Sequence, residues 1–256
     1  MVVAEEKRKI RIKTFTFSLS TPYGNLSPLS IEVPDIPMRL SEVVPLLFEL
    51  CNKCVEMACE HLKPEEKVTC SKGCGICCRQ VVPVSVPEAM FLHSYLDRLP
   101  TERREHFQSR LKTIADSSRR NGILPALENA GSDHEAIAAA EAYFNQGYEC
   151  PFLEEGVCSI HAVRPFACRE FNAVSDPELC ENPFENRVRK VPVVPKMTSV
   201  AARFAAKMLA ERPVLLPLIT LYAVVEVQSE AENHFPGIRL FETLLDSFAA
   251  ETVSDN

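Results

Sequence analysis

The stretch TCSKGCGICCRQ places Cys70, Cys74, Cys77 and Cys78 within nine positions, in the spacing C-x3-C-x2-C-C. Short gaps let several thiolates converge from one loop, and Gly73 and Gly75, on either side of Cys74, permit unusual backbone angles and bring peptide N–H groups close to sulfur. That is a metal-binding pattern. Cys77 and Cys78 are adjacent, so their side chains are expected to diverge. One of them would then ligate while the other bridges a second metal, acts as a redox thiol or packs.

A second group, Cys150, Cys158 and Cys168, lies in CPFLEEGVCSIHAVRPFACREF, with Cys180 following. Their surroundings, rich in Pro and Gly, argue against core packing. Four sulfur ligands suit a tetrahedral zinc or an iron–sulfur cluster, most simply drawn from both loops, and eight candidates could serve one centre or two. The loops would then be clamped together. Spacing does not separate zinc from iron–sulfur, because both use thiolates. Arg79, Arg164 and Arg169 could offset the anionic charge of such a centre, whereas His161 in the same loop is expected to orient a neighbour or face solvent.

Cys51, Cys54 and Cys59 form a third group with a different setting. They fall on the apolar stripe of a helical pattern and are read as small hydrophobes of the core. Glu88 is read as a helix-start carboxylate placed for the dipole. Asp133, His134 and Glu135 are read as an N-cap with first-turn charges rather than a metal trio.

The order of the two cysteine groups resembles the bacterial cysteine-cluster family CxxCxxCC, a zinc- or iron-chelating domain, over roughly residues 70 to 180. The resemblance implies chelation by Cys70, Cys74, Cys77, Cys78, Cys150, Cys158 and Cys168, with Cys180 as an addition. A subgroup resembles flagellin lysine N-methylase, which implies an iron–sulfur enzyme that methylates protein lysines. Two departures stand out: the first gap has three residues where the family name has two, and His161 stands where a tyrosine is common.

Composition narrows the classes further. The chain has 256 residues, 46% of them hydrophobic, enough for one large domain or two small ones without disulfide support. MVVAEEKRKIRIK carries charges where an export signal needs an apolar run, so a cytoplasmic location is expected. In that compartment eleven cysteines favour metal or redox chemistry over crosslinks. The apolar run Val214–Val225 is broken by Pro217 and falls short of the ~20 residues of a membrane span. A formal charge of −7 makes general nucleic-acid binding improbable, the basic run from Lys7 to Lys13 being local. The expected partner is therefore a metal ion or cluster, with an unidentified protein partner possible, no nucleic acid and no membrane.

The elements that must position these residues are mainly helical. Ile10, Ile12, Phe15, Phe17 and Leu19 alternate with a phase change between Ile12 and Phe15, predicting a bulged strand; TPYGN predicts a turn, and Leu29, Ile31 and Val33 a second strand. No further strand is expected. Val44, Leu47, Leu50, Cys51, Cys54, Ala58 and Leu62 predict a helix capped by Ser41. Further helices are expected at 86–97, 102–119, 133–145, 198–211 and 238–250. The expected fold class is mainly α with a small N-terminal β-hairpin, α+β, carrying cysteine loops clamped by a metal site. The expected organisation is 1–66 hairpin plus long helix, 67–196 cysteine-cluster metal-binding domain and 197–256 helical section, with VRKVPVVPK as the connection into it.

Three functions compete at this level. The first is a metal-binding protein holding an iron–sulfur cluster or zinc, with no defined reaction. The second is an iron–sulfur enzyme, although no nucleotide loop such as G-x-G-x-x-G is present. The third is a thiol redox sensor using Cys77 and Cys78.

Overall fold

The computed structural model describes residues 10–71, 73–223 and 234–249. Its fold is mainly α with a small N-terminal antiparallel hairpin, α+β, as the sequence predicts. Strands β1 (Ile12–Thr21) and β2 (Gly24–Pro34) pair antiparallel around a turn at Pro22 and Tyr23, burying Phe15, Leu19 and Val33 on one face. The irregularity falls between Phe17 and Leu19 rather than before Phe15, and Ile12 is exposed. Ile12 therefore does not set the phase of the core face.

The hairpin packs on α8 (Gly237–Ala249), with the Phe15 and Phe241 rings stacked at 5.8 Å. Beneath them lies α1 (Val44–Glu60), which buries Val44, Leu47, Phe48, Leu50, Cys51, Cys54 and Ala58 along one stripe. Ser41 is not its cap. It lies in a 3-10 turn, Leu40–Val43, where Glu42 Oε2 accepts from Arg39 N–H at 2.5 Å, and α1 continues directly from Val43. Helix α7 (Met197–Leu209) completes this core with Met197, Val200, Ala201, Phe204 and Met208, and stops at Ala210, whose φ is 58°.

A second apolar cluster joins α2 (Val86–Asp97) to α3 (Thr101–Arg120), with Phe107 against Phe152 at 5.1 Å. Two more helices, α4 (Ile123–Glu128) and α5 (Asp133–Asn145), follow, the latter capped by Ser132. The stretch between the helices predicted at 102–119 and 133–145 thus holds a short helix of its own.

The β content does not end at the hairpin. Short antiparallel pairs link β3 (Pro37–Met38) to β8 (Phe235–Pro236), β4 (Pro83–Ser85) to β7 (Leu215–Pro217), and β5 (Leu153–Glu154) to β6 (Val157–Cys158). VRKVPVVPK is packed rather than free: Val191 and Val193 are buried, and Val191 N–H donates to Asn172 O at 2.8 Å. Among the described residues no helix is long and apolar enough to cross a membrane. Of the apolar run, Val224 and Val225 lie outside the described residues, as do Lys7, Arg8, Lys9 and residue 250.

Candidate metal centre

The first cysteine loop is anchored before it begins. Thr69 N–H donates to Ala173 O at 2.9 Å, and its hydroxyl lies 2.7 Å from Ser175 O and 3.1 Å from Ala173 O, tying the loop to the chain beyond Cys168. Cys70 Sγ accepts from Ala173 N–H at 3.2 Å. Gly73 has φ of +90°, a turn that a side chain would strain. Gly75 meets the second loop, since a Cβ there would stand 2.9 Å from Leu153 Cδ1. Cys77 and Cys78 then lie on a 3-10 turn, Ile76–Arg79.

The second loop is fastened from both sides. Cys150 N–H donates to Cys78 O at 2.6 Å, a direct backbone link between the two cysteine loops. From α3, Arg110 donates to Leu153 O at 2.9 Å and Cys150 O at 3.3 Å, and Arg103 grips Glu154 with two bonds of 2.7 and 2.6 Å. The β5–β6 turn uses Glu155 and Gly156 at φ 49° and 76°, which returns Cys158 towards Cys150. Cys168 is carried on the short helix α6 (Phe166–Glu170).

Helix α6 is held by two buried charged side chains. Glu88, fully buried at the start of α2, accepts from Ser85 N–H (2.9 Å) and the Ser85 hydroxyl (2.7 Å) through Oε2, and from Phe166 N–H (2.7 Å) through Oε1. Burial pushes its pKa up to about 7 against the opposing effect of those three bonds. Arg169 donates to Asn52 Oδ1, Arg164 O and Ala162 O, and lies over the Phe48 ring.

Within this frame the eight candidate cysteines fall into two sets that overlap at Cys77, with Cys78, influenced by Cys77, Cys150 and Cys168, in the first. Cys77, Cys150, Cys158 and Cys168 are all mutual electrostatic neighbours: charge on any one disfavours charge on the others. Burial is the largest cause raising Cys150, to about 11, and also raises Cys158 and Cys168. Cys70, Cys74 and Cys180 form the other set, linked to the first through Cys77, whose charge bears on both Cys70 and Cys180. Cys180 is buried on the 3-10 turn Pro177–Glu181, and the Arg79 guanidinium donates to Glu181 O at 3.1 Å.

The expected divergence of the adjacent pair does not occur. Cys77 and Cys78 instead interact directly, the hydrogen bond between them favouring thiolate at Cys77 and the neutral thiol at Cys78. Of the three arginines, Arg164 is the one whose charge favours thiolate at Cys70, Cys77, Cys158 and Cys168 together, and its Nε is buried without a hydrogen-bond partner. Arg79 instead lies over Phe144, and Arg169 braces α1 and α6. Cys51 and Cys54 are buried in the core, as expected, and Cys59 is half-buried. His161 is exposed.

Among the described residues, no three or more His, Cys, Asp or Glu side chains stand close enough together to hold a metal ion. The thiols are gathered, and the clamp expected from sequence is not itself formed. Beside them opens a cavity of about 410 Å³ whose wall includes Cys77 and Cys168.

A family model matches the part of the chain that carries this arrangement. Residues 69–190 match the CxxCxxCC family, described as "putative zinc- or iron-chelating domain". The matched segment runs from Thr69, which anchors the first loop, to Lys190, which pairs with Ala173, so it takes in all eight gathered cysteines. No curated protein and no solved structure is detectably similar to the chain. The CxxCxxCC segment excludes Cys51, Cys54 and Cys59, in keeping with their place in the core. Glu88 and Arg110 were missed as supports. The S-x-x-E of Ser85 and Glu88 is a visible capping box, but its bond to Phe166 has no local signal, and neither do the carbonyl contacts of Arg110.

Proposed function

We propose that the CxxCxxCC segment binds zinc or iron through thiolates drawn from both loops, with Cys77, Cys150, Cys158 and Cys168 as the primary ligands. The observation that carries this reading is the mutual electrostatic influence of those four thiols, charge on each disfavouring charge on the others. Four thiols of one chemistry suit a soft or borderline cation, and burial that raises their pKa values marks a place where charge is costly until a cation shares it. Arg164 supplies part of that compensation. Cys78 supports the site by its hydrogen bond to Cys77, and Cys70, Cys74 and Cys180 are the candidates for a second centre joined through Cys77.

Iron, as an iron–sulfur cluster, is placed ahead of zinc because eight gathered thiols exceed the needs of one tetrahedral zinc. A bound cluster would supply electron transfer or Lewis acidity, and zinc would supply a structural tie. An iron–sulfur enzyme is the second reading, favoured by the cavity at Cys77 and Cys168. A thiol sensor is the third, favoured by the Cys78-to-Cys77 hydrogen bond. Protein purified without oxygen or chelators tests the order. Iron with acid-labile sulfide and broad visible absorption is the expected result. Colourless protein with stoichiometric zinc replaces the cluster by a zinc site, and metal-free protein with a reversible Cys77–Cys78 oxidation supports the sensor instead.

A further inference from the structure

Arg164 has its backbone engaged and its side-chain Nε unmatched. It follows the 3-10 turn His161–Val163 and precedes Pro165, which keeps it extended at φ −57° and ψ 145°. Its N–H donates to His161 O at 3.4 Å, and its carbonyl accepts from Arg169 Nε at 2.9 Å. The guanidinium belongs to none of the salt bridges among the described residues, and its Nε is buried without a hydrogen-bond partner. Its charge also disfavours that of Arg169, so two like charges are held near one another.

A buried N–H left unmet destabilises the chain that carries it, and more so on a charged group. The groups that Arg164 influences are thiols. Its charge bears on Cys70, Cys77, Cys158 and Cys168, drawn from both loops and from α6. No three of those thiols stand close enough together to hold a metal ion. The orphaned donor and the open thiols complement each other. Thiolates drawn together around a cation carry negative charge, which a guanidinium offsets by its own charge and by an N–H···S hydrogen bond.

We propose that Arg164 is a positioning residue of the metal-bound state: unmatched in the metal-free chain, its Nε–H donates to a thiolate once the cysteines close on a metal, and so favours that closure. This rests on the metal reading above and adds its regulation, because one residue opposes the metal-free state and supports the loaded one. A lysine in its place keeps the charge and loses the fixed donor geometry.

The sign of the effect separates this role from ordinary packing. Zn2+ and, anaerobically, Fe2+ with sulfide are offered to the full unaltered chain, Arg164→Met and Arg164→Lys. Retention of the metal taken up is then measured against a competing chelator, and urea midpoints are read with and without it. Arg164→Met is expected to lose its metal at a chelator concentration tenfold or more lower, while its metal-free midpoint stays at or above that of the unaltered chain. Arg164→Lys is expected to recover part of the retention. Equal retention in Arg164→Met overturns the inference. So does a metal-free midpoint that falls as far as the loaded one, or a variant that does not fold without metal, either of which makes Arg164 a packing residue. Failure of the unaltered chain to take up either metal overturns the metal reading and this inference together, whereas normal uptake with unchanged variants overturns the inference alone.

Discussion

At the scale of single residues, a cysteine's role follows from what surrounds its sulfur. Burial dominates at Cys51, which packs in the core with its pKa far above the usual thiol range. At Cys77 a neighbouring S–H reverses that effect. The sequence separates these two classes because helical periodicity marks Cys51 and Cys54 while clustering and glycines mark Cys70 to Cys78. It does not reveal Glu88, whose value lies in a partner many residues away. In Glu88→Gln the new amide N–H must face either the Ser85 or the Phe166 N–H, leaving a buried donor unmet at about 1–3 kcal/mol. The native carboxyl titrates near 7, above its ordinary 4.5. Below pH 4.5 it is protonated folded and unfolded alike. Between 4.5 and 7 the unfolded chain ionises first, so stability falls as pH rises, and above 7 the full penalty persists. Urea denaturation is therefore expected to show the variant less stable at pH 5, with a smaller deficit at pH 8. A deficit that widens with pH would contradict this account of Glu88.

At the scale of elements, the long helices are legible because three or more turns repeat one apolar stripe. The predicted 133–145 and 86–97 match α5 and α2 end to end, helped by Ser132 and Ser85 at their starts. Helix α6 is too short for any periodicity, and pairs such as Pro37 with Pro236 join residues from opposite ends of the chain. The close fit of α8 is likewise invisible from sequence. A Cβ on Gly237 would fall onto the Pro34 carbonyl oxygen and within 2.9 Å of Met38 Sδ, where helix, β2 and β3 converge. Gly237→Ala is expected to cost about 1–3 kcal/mol in urea denaturation, because backbone must shift to make room. Its metal content should match that of the unaltered chain, since the contact belongs to the hairpin side of the fold.

At the scale of the whole molecule, the eight gathered cysteines join segments separated by the α2–α5 helices. The meeting of the loops could be anticipated from their cysteine content, but the sharing of Cys77 between two sets could not, because no local spacing shows which distant cysteines Cys77 meets. If a metal ties these loops, it stabilises the folded chain by binding that state alone. Treatment with a strong chelator under reducing conditions is expected to lower Tm and to speed proteolysis between residues 70 and 180, and restoring the metal should reverse both. Unchanged melting after verified metal removal would assign the fold's stability to its apolar clusters alone.

The most direct test of the central claim is metal content per chain, measured on anaerobically purified protein for the unaltered chain, Cys150→Ser/Cys168→Ser and Cys51→Ala. Stoichiometric zinc or iron in the first and third, with loss from the double variant while its circular dichroism is retained, is the predicted result. Metal-free unaltered protein, or full metal retention in the double variant, would contradict the assignment of those thiols as primary ligands.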